Sequence, residues 1–221
     1  MATTFDTKYL FTIGWGADNL KQFRIIDHQL IKTYNVLSFI TSIIITFNDK
    51  DLFVGNDDGY LKQICVEKRE VIKEYGRIHT SWINSMAVTR DNNYLITSSE
   101  DKNIKKVSII NKEVVKDFGE ICSNCINTIQ MTSDNENLFV FDGGYNLKLI
   151  ELTDGNIIKD FSKIHDYSSW NYKPKATVLT TGGQFLFTIS EQGYLKQFCV
   201  KDRTLIQDFG KIAKNIVSIC Y

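Results

Sequence analysis

Along the whole chain, short apolar and β-branched runs follow one another, separated by small clusters of Asn, Asp and Gly. The stretch 83–119 shows the pattern. Residues 83–89 form an apolar-rich run, Asp91-Asn92-Asn93 is a turn signal, and 94–99 is a second run. Glu100-Asp101-Lys102 turns again, 103–109 is a third run and 113–119 a fourth. Short runs of this kind bounded by turn residues are the mark of strands, and Asn, Asp and Gly supply the tight connections. No segment carries apolar positions at helical spacing over ten or more residues, so the chain reads as all-β.

The pattern repeats. Leu10-Phe11-Thr12, Leu52-Phe53-Val54, Leu95-Ile96-Thr97, Leu138-Phe139-Val140 and Leu186-Phe187-Thr188 are copies of one triplet, spaced 42 to 48 residues apart. Each is followed by a second marker, as in Leu20-Lys21-Gln22-Phe23, Leu61-Lys62-Gln63-Ile64 and Leu195-Lys196-Gln197-Phe198. Each unit then closes on a third, Lys32-Thr33-Tyr34, Lys73-Glu74-Tyr75, Lys116-Asp117-Phe118, Lys159-Asp160-Phe161 or Gln207-Asp208-Phe209. Four short strands per period of this length is the size of a propeller blade. A single blade cannot bury both of its faces, so blades must stack side by side. The predicted blades are about 2–35, 40–76, 83–119, 126–162 and 176–210, and 216–221 reads as the inner strand of a further blade.

On these residues the sequence resembles the WD-repeat family of β-propellers. That family places a His before the innermost strand, matched by His79 and His165, and an Asp in the turn before the third strand, matched by Asp58 and Asp101. The Trp-Asp dipeptide that ends the third strand is replaced throughout, by Phe23-Arg24, Ile64-Cys65, Val107-Ser108, Ile150-Glu151 and Phe198-Cys199. The resemblance therefore implies only a partial version of the family's hydrogen-bonded network, best developed around His79, Ser99 and Asp101. It also implies a non-enzymatic scaffold for protein–protein contacts. Five blades plus one inner strand are expected to form an arc of a larger propeller, completed by a neighbouring chain or by further residues of a longer protein. The alternative is a closed five-bladed ring in which 216–221 pairs with 9–15.

Composition narrows the function classes. The chain has 221 residues, and 26 basic side chains balance 26 acidic ones, so the formal net charge is zero. Its 43% hydrophobic and 24% charged residues are ordinary globular values. No apolar run approaches the length of a membrane span, the first residues carry no secretory signal, and no membrane partner is expected. Five Cys in a chain of this size fit free thiols in a reducing compartment, which points to the cytoplasm.

Candidate chemistry is sparse, and no cofactor, metal or catalytic residue is expected. Cys122-Ser123-Asn124-Cys125 lacks the second ligand pair of a zinc site and the helix start of a redox pair, and Cys122 takes the place of the repeat's His. His79 and His165 hold the structural position, and His28 lies in a turn. Asn56-Asp57-Asp58-Gly59 lacks the alternating acids of a calcium loop and reads as a turn. Lys21, Lys62, Lys105, Lys148 and Lys196 recur once per blade, either as a ring of positive charge or as the family's ordinary third-strand lysine. Lys73, Lys116 and Lys159 guard the outer strand against pairing with other chains.

The aromatic residues carry more information. In the WD-repeat fold, the loops from second to third strand and from blade to blade open on one face, and all three Trp fall in such loops. These are Trp15, in Gly14-Trp15-Gly16-Ala17-Asp18, Trp82, and Trp170. Trp170 sits in an insertion that also holds Tyr167, Tyr172, Lys173, Lys175 and the only Pro of the chain. Trp and Tyr are enriched at interface hot spots, although such a loop can also fold back and pack its own rings. The expected partner-binding residues are thus Trp15, Trp82, Tyr167, Trp170, Tyr172, Lys173 and Lys175. The expected function is a protein-interaction scaffold, with a structural part in a cytoskeletal or ciliary assembly as the alternative and a propeller-based enzyme as a more distant one.

Nucleic acid is not an expected partner, because the lysines alternate with acids, as in Lys116-Asp117 and Lys159-Asp160. Phosphate neutralisation needs clustered basic residues. The chain should show no binding to duplex DNA near physiological salt in a gel-shift titration; micromolar affinity with a steep salt dependence contradicts this.

Overall fold

The computed structural model describes residues 1–14, 19–36, 39–165, 174–190 and 192–212. They form five four-stranded antiparallel sheets, each a simple meander in chain order. Blade one comprises β1 (Ala2–Thr3), β2 (Tyr9–Ile13), β3 (Leu20–Arg24) and β4 (Leu30–Tyr34). Blade two comprises β5 (Ile40–Ile45), β6 (Asp51–Asn56), β7 (Tyr60–Cys65) and β8 (Glu70–Arg77). Blade three comprises β9 (Ile83–Val88), β10 (Tyr94–Ser99), β11 (Asn103–Ser108) and β12 (Glu113–Glu120). Blade four runs through β13 (Ile126–Met131), β14 (Asn137–Asp142), β15 (Asn146–Glu151) and β16 (Ile157–Lys163). Blade five runs through β17 (Pro174–Leu179), β18 (Phe185–Ser190), β19 (Tyr194–Cys199) and β20 (Thr204–Lys211). The chain divides into two compact units, Met1–Gly119 and Glu120–Tyr221. The expected extra strand at 216–221, and with it the choice between arc and ring, lies outside the described residues.

The repeated markers meet across strands. Leu10 stands opposite Phe23, Leu52 opposite Ile64, Leu95 opposite Val107, Leu138 opposite Ile150 and Leu186 opposite Phe198. The same cross-strand pair therefore recurs in the middle of every blade, and the apolar residue at the family's Trp position is one half of it.

Strand alternation sends apolar side chains to both faces of a blade. Leu52 and Val54 of β6 join Phe11, Leu20 and Tyr34 of blade one in a single buried cluster. Phe53, between them in sequence, joins Ile83, Met86 and Leu95 of blade three. In the second unit, Phe139, Phe141 and Leu147 of blade four pack with Leu186 and Phe198 of blade five. Within each unit the core thus lies between sheets, and each fully buried side chain contributes about 1.5–3 kcal/mol. First strands of successive blades also touch: Thr41 Oγ1 donates to Ile83 O at 2.7 Å, and Gln130 Nε2 donates to Thr177 O at 3.1 Å.

One repeated device is the turn from first to second strand. Thr4, Thr46, Thr89, Thr132 and Thr180 each accept the backbone N–H five residues later, at 2.9–3.1 Å. Thr7, Asp49, Asn92, Asn135 and Gly183 occupy the left-handed position within it. Asn48-Asp49, Asp91-Asn92-Asn93, Asp134-Asn135 and Gly182-Gly183 supply the turn residues of this set.

The turn after β6 is fixed more tightly. Gly59 has φ +83°, and its carbonyl accepts the N–H groups of Ile78 and His79. A Cβ here would lie 2.1 Å from His79 O, which is backbone and cannot rotate away. Gly76, also at positive φ, has open space where its Cβ would be. Gly76→Ala should therefore cost about 1–2 kcal/mol, the left-handed penalty alone. Gly59→Ala should cost at least twice that; urea melts of the two variants check the order, and equal losses contradict the packing argument.

Candidate functional site

The loop face of the first unit carries a concave site. Ile13 and Gly14 end the second strand of blade one, Phe39 and Ile40 start blade two, Asp57 follows β6, and Trp82 precedes β9. Together with Thr41 and Asn84 they line an open cavity of about 500 Å³, within the range of ligand pockets. The wall is mainly apolar. Trp82 and Phe39 are half exposed at 46% and 51%.

Local geometry fixes these groups. Phe39 adopts φ +43°, and its carbonyl accepts the N–H of Asp57, tying the mouth of blade two to the turn after β6. The Trp82 carbonyl accepts the N–H of Glu100 at 3.0 Å. Three residues earlier stands His79, whose Nδ1 donates to the Asp101 carboxylate at 3.0 Å and whose Nε2 lies 2.9 Å from Thr97 Oγ1. Asp101 also accepts the backbone N–H groups of Thr80 and Asn103. Burial raises the carboxyl's pKa, but the His79 hydrogen bond, the Thr80 N–H and the charge of His79 outweigh it, so the pKa lies well below the usual carboxylate value. The loop that ends in Trp82 is thus clamped at its base.

Relative to the sequence expectation, Thr97 rather than Ser99 completes the His79–Asp101 network. Ser99 Oγ accepts the N–H of Asp101 and caps the turn instead. Blade five keeps a shorter version, His165 Nε2 to Thr188 Oγ1 at 3.1 Å. In blade four Cys122 is 4% exposed, and burial pushes its thiol up to about 12.

The recurrent lysines belong to the sheet. Lys62, Lys105 and Lys196 pair with Glu74, Asp117 and Asp208 of the neighbouring outer strand at 2.7–3.0 Å, and their side chains are largely covered. Lys148 Nζ donates to Ile121 O. They therefore form no free positive ring in these four blades. Among the described residues no cluster of three or more His, Cys, Asp and Glu could hold a metal ion.

Of the seven residues expected to bind a partner, Trp82 lines the cavity. Trp15, Tyr167, Trp170, Tyr172 and Lys173 lie outside the described residues, and Lys175 is placed in β17 without a described side chain. Sequence reasoning missed Phe39 and Asp57. Phe39 had a readable signal, since it stands immediately before Ile40 as Trp82 stands before Ile83.

Residues 71–106 match the family profile of the WD domain, G-beta repeat. The described fold is similar to the hydrazine synthase of Kuenenia stuttgartiensis, with a TM-score of 0.78 and 14% sequence identity. That likeness covers 90% of this chain and 62% of the other, so the chain spans less than two thirds of the structure it matches. At this identity the likeness concerns the fold. No curated protein matched the chain significantly. The chain is a β-propeller built from five four-stranded blades. The matched repeat runs from β8 of blade two into β11 of blade three, and with the same markers in every blade the chain is similar to WD-repeat propellers.

Because the Asp101 pKa is lowered by folding, its contribution to stability is complete above about pH 4, the unfolded carboxylate value, and fades as the pH falls toward the folded value. Asp101→Asn should lose about 2 kcal/mol at neutral pH and show a flatter decline of stability below about pH 4. Denaturant melts across the acid range check both; an unchanged acid limb contradicts the assignment.

Proposed function

We propose that the chain is a non-enzymatic protein-interaction scaffold and that the cavity around Trp82 is one of its docking sites. The observation that carries this reading is that two half-exposed rings, Trp82 and Phe39, meet at one apolar concavity. Rigid elements hold both rings, and clustered aromatic anchors are where binding energy concentrates. WD repeats usually mediate interactions, which supports the same class of function. Nothing in the fold or its relatives favours the cytoskeletal or ciliary alternative. On the sequence grounds given above, Trp15 and the insertion with Tyr167, Trp170, Tyr172, Lys173 and Lys175 are further contact surfaces.

Replacing Trp82 or Trp170 by Ala should cost about 2 kcal/mol or more of partner binding while the melting temperature changes little. Crosslinking capture with the full chain compares these variants with Lys68→Ala, a control in the exposed turn between β7 and β8. If the Trp variants keep every captured protein, or unfold, the docking role is wrong.

A further inference from the structure

The same cavity shows an electrostatic asymmetry. Asp57 is the one ionisable side chain among its described lining residues, and none is basic. The Asp57 Oδ1 atom is buried and accepts no hydrogen bond within the described protein. Buried carboxylate oxygens are ordinarily satisfied, because desolvating one without a partner is costly. The other polar groups of the wall are engaged: Thr41 Oγ1 donates to Ile83 O and Gly55 O. The nearby Arg77 is already spent on the carbonyls of Asp58 and Thr80.

We infer that this cavity receives an arginine side chain from a partner peptide, with Asp57 as its counter-charge. The inference rests on the docking role proposed above. Arginine suits both parts of the site. Its aliphatic stem lies against apolar wall such as Ile40, while its guanidinium is weakly hydrated, stacks on aromatic faces such as Trp82, and supplies donors to a carboxylate. A cavity of about 500 Å³ exceeds one side chain, so it also holds the residues flanking the arginine. An anionic peptide is disfavoured, since no described lining group would offset the repulsion from Asp57. A purely apolar occupant would leave the Asp57 oxygen dry and unpaired.

Two fluorescein-labelled pentapeptide pools test this. Both carry degenerate flanks free of Arg, Lys, His and Cys; one has a central arginine and the other its neutral isostere citrulline. Binding to the full chain is followed by anisotropy at low and high salt. The wild-type chain should bind the arginine pool at least tenfold more tightly, and salt should shrink the gap. Asp57→Asn should erase the preference with its melting temperature preserved, because that oxygen holds nothing in the free protein. Trp82→Ala should weaken both pools together. Equal binding of the two pools to the wild type, or a preference that survives Asp57→Asn, overturns the arginine inference; if Trp82→Ala still weakens both pools, the docking role stands without it. Binding of neither pool, or none that depends on Trp82, overturns both.

Discussion

A sheet that is apolar on both faces cannot be stable alone, and this constraint organises the molecule. Because successive side chains of a strand point to opposite faces, Phe53 looks toward blade three while Leu52 and Val54 look toward blade one. Blade two is therefore a wall shared by two cores. Stability in such an arrangement is a sum of neighbour interfaces rather than a property of one centre. In blades two, three and five a lysine of the third strand pairs with an acid of the outer strand.

Stacking also explains why the loop face of the first unit can hold a precise site. Turns there are tied to adjacent segments rather than left to themselves. Gly59 anchors Ile78 and His79, Phe39 holds Asp57, and Asp101 holds the segment leading to Trp82. The Phe39 and Asp101 links join a turn to the segment entering the first strand of the same blade, and the Gly59 link joins the turn of blade two to the segment entering blade three. Wall and rim are consequently held by hydrogen bonds, and the Trp82 and Phe39 rings are left half exposed.

The fold was legible because its information is periodic. Three markers recurring in five units reveal strand count, blade boundaries and the positions of the turns, whatever the individual residues. The WD likeness rested on His79 and Asp101, which do meet in the structure. Alternation puts Thr97 and Ser99 on the same face of β10, so the pattern does not choose between them; Ser99 is taken up by the turn, where its Oγ accepts the Asp101 N–H, and Thr97 meets His79. The site was less legible. Trp82 was visible as a loop aromatic, but Phe39 resembled a core residue in the apolar segment 36–45, and its exposure follows from a left-handed backbone position that sequence does not announce for Phe. Asp57 looked like an ordinary turn residue, and the burial of one of its oxygens is visible only in the folded chain.

Blade four, lacking the His, has gained a chemical clock in its place. Cys122 is sealed beneath the loop and its thiol is held almost wholly protonated near neutrality, so it is inert to alkylating reagents in the folded state. Cys65, Cys125 and Cys199 are only partly covered. The delay between labelling of these thiols and labelling of Cys122 measures how often the second unit opens at that point, without any introduced probe.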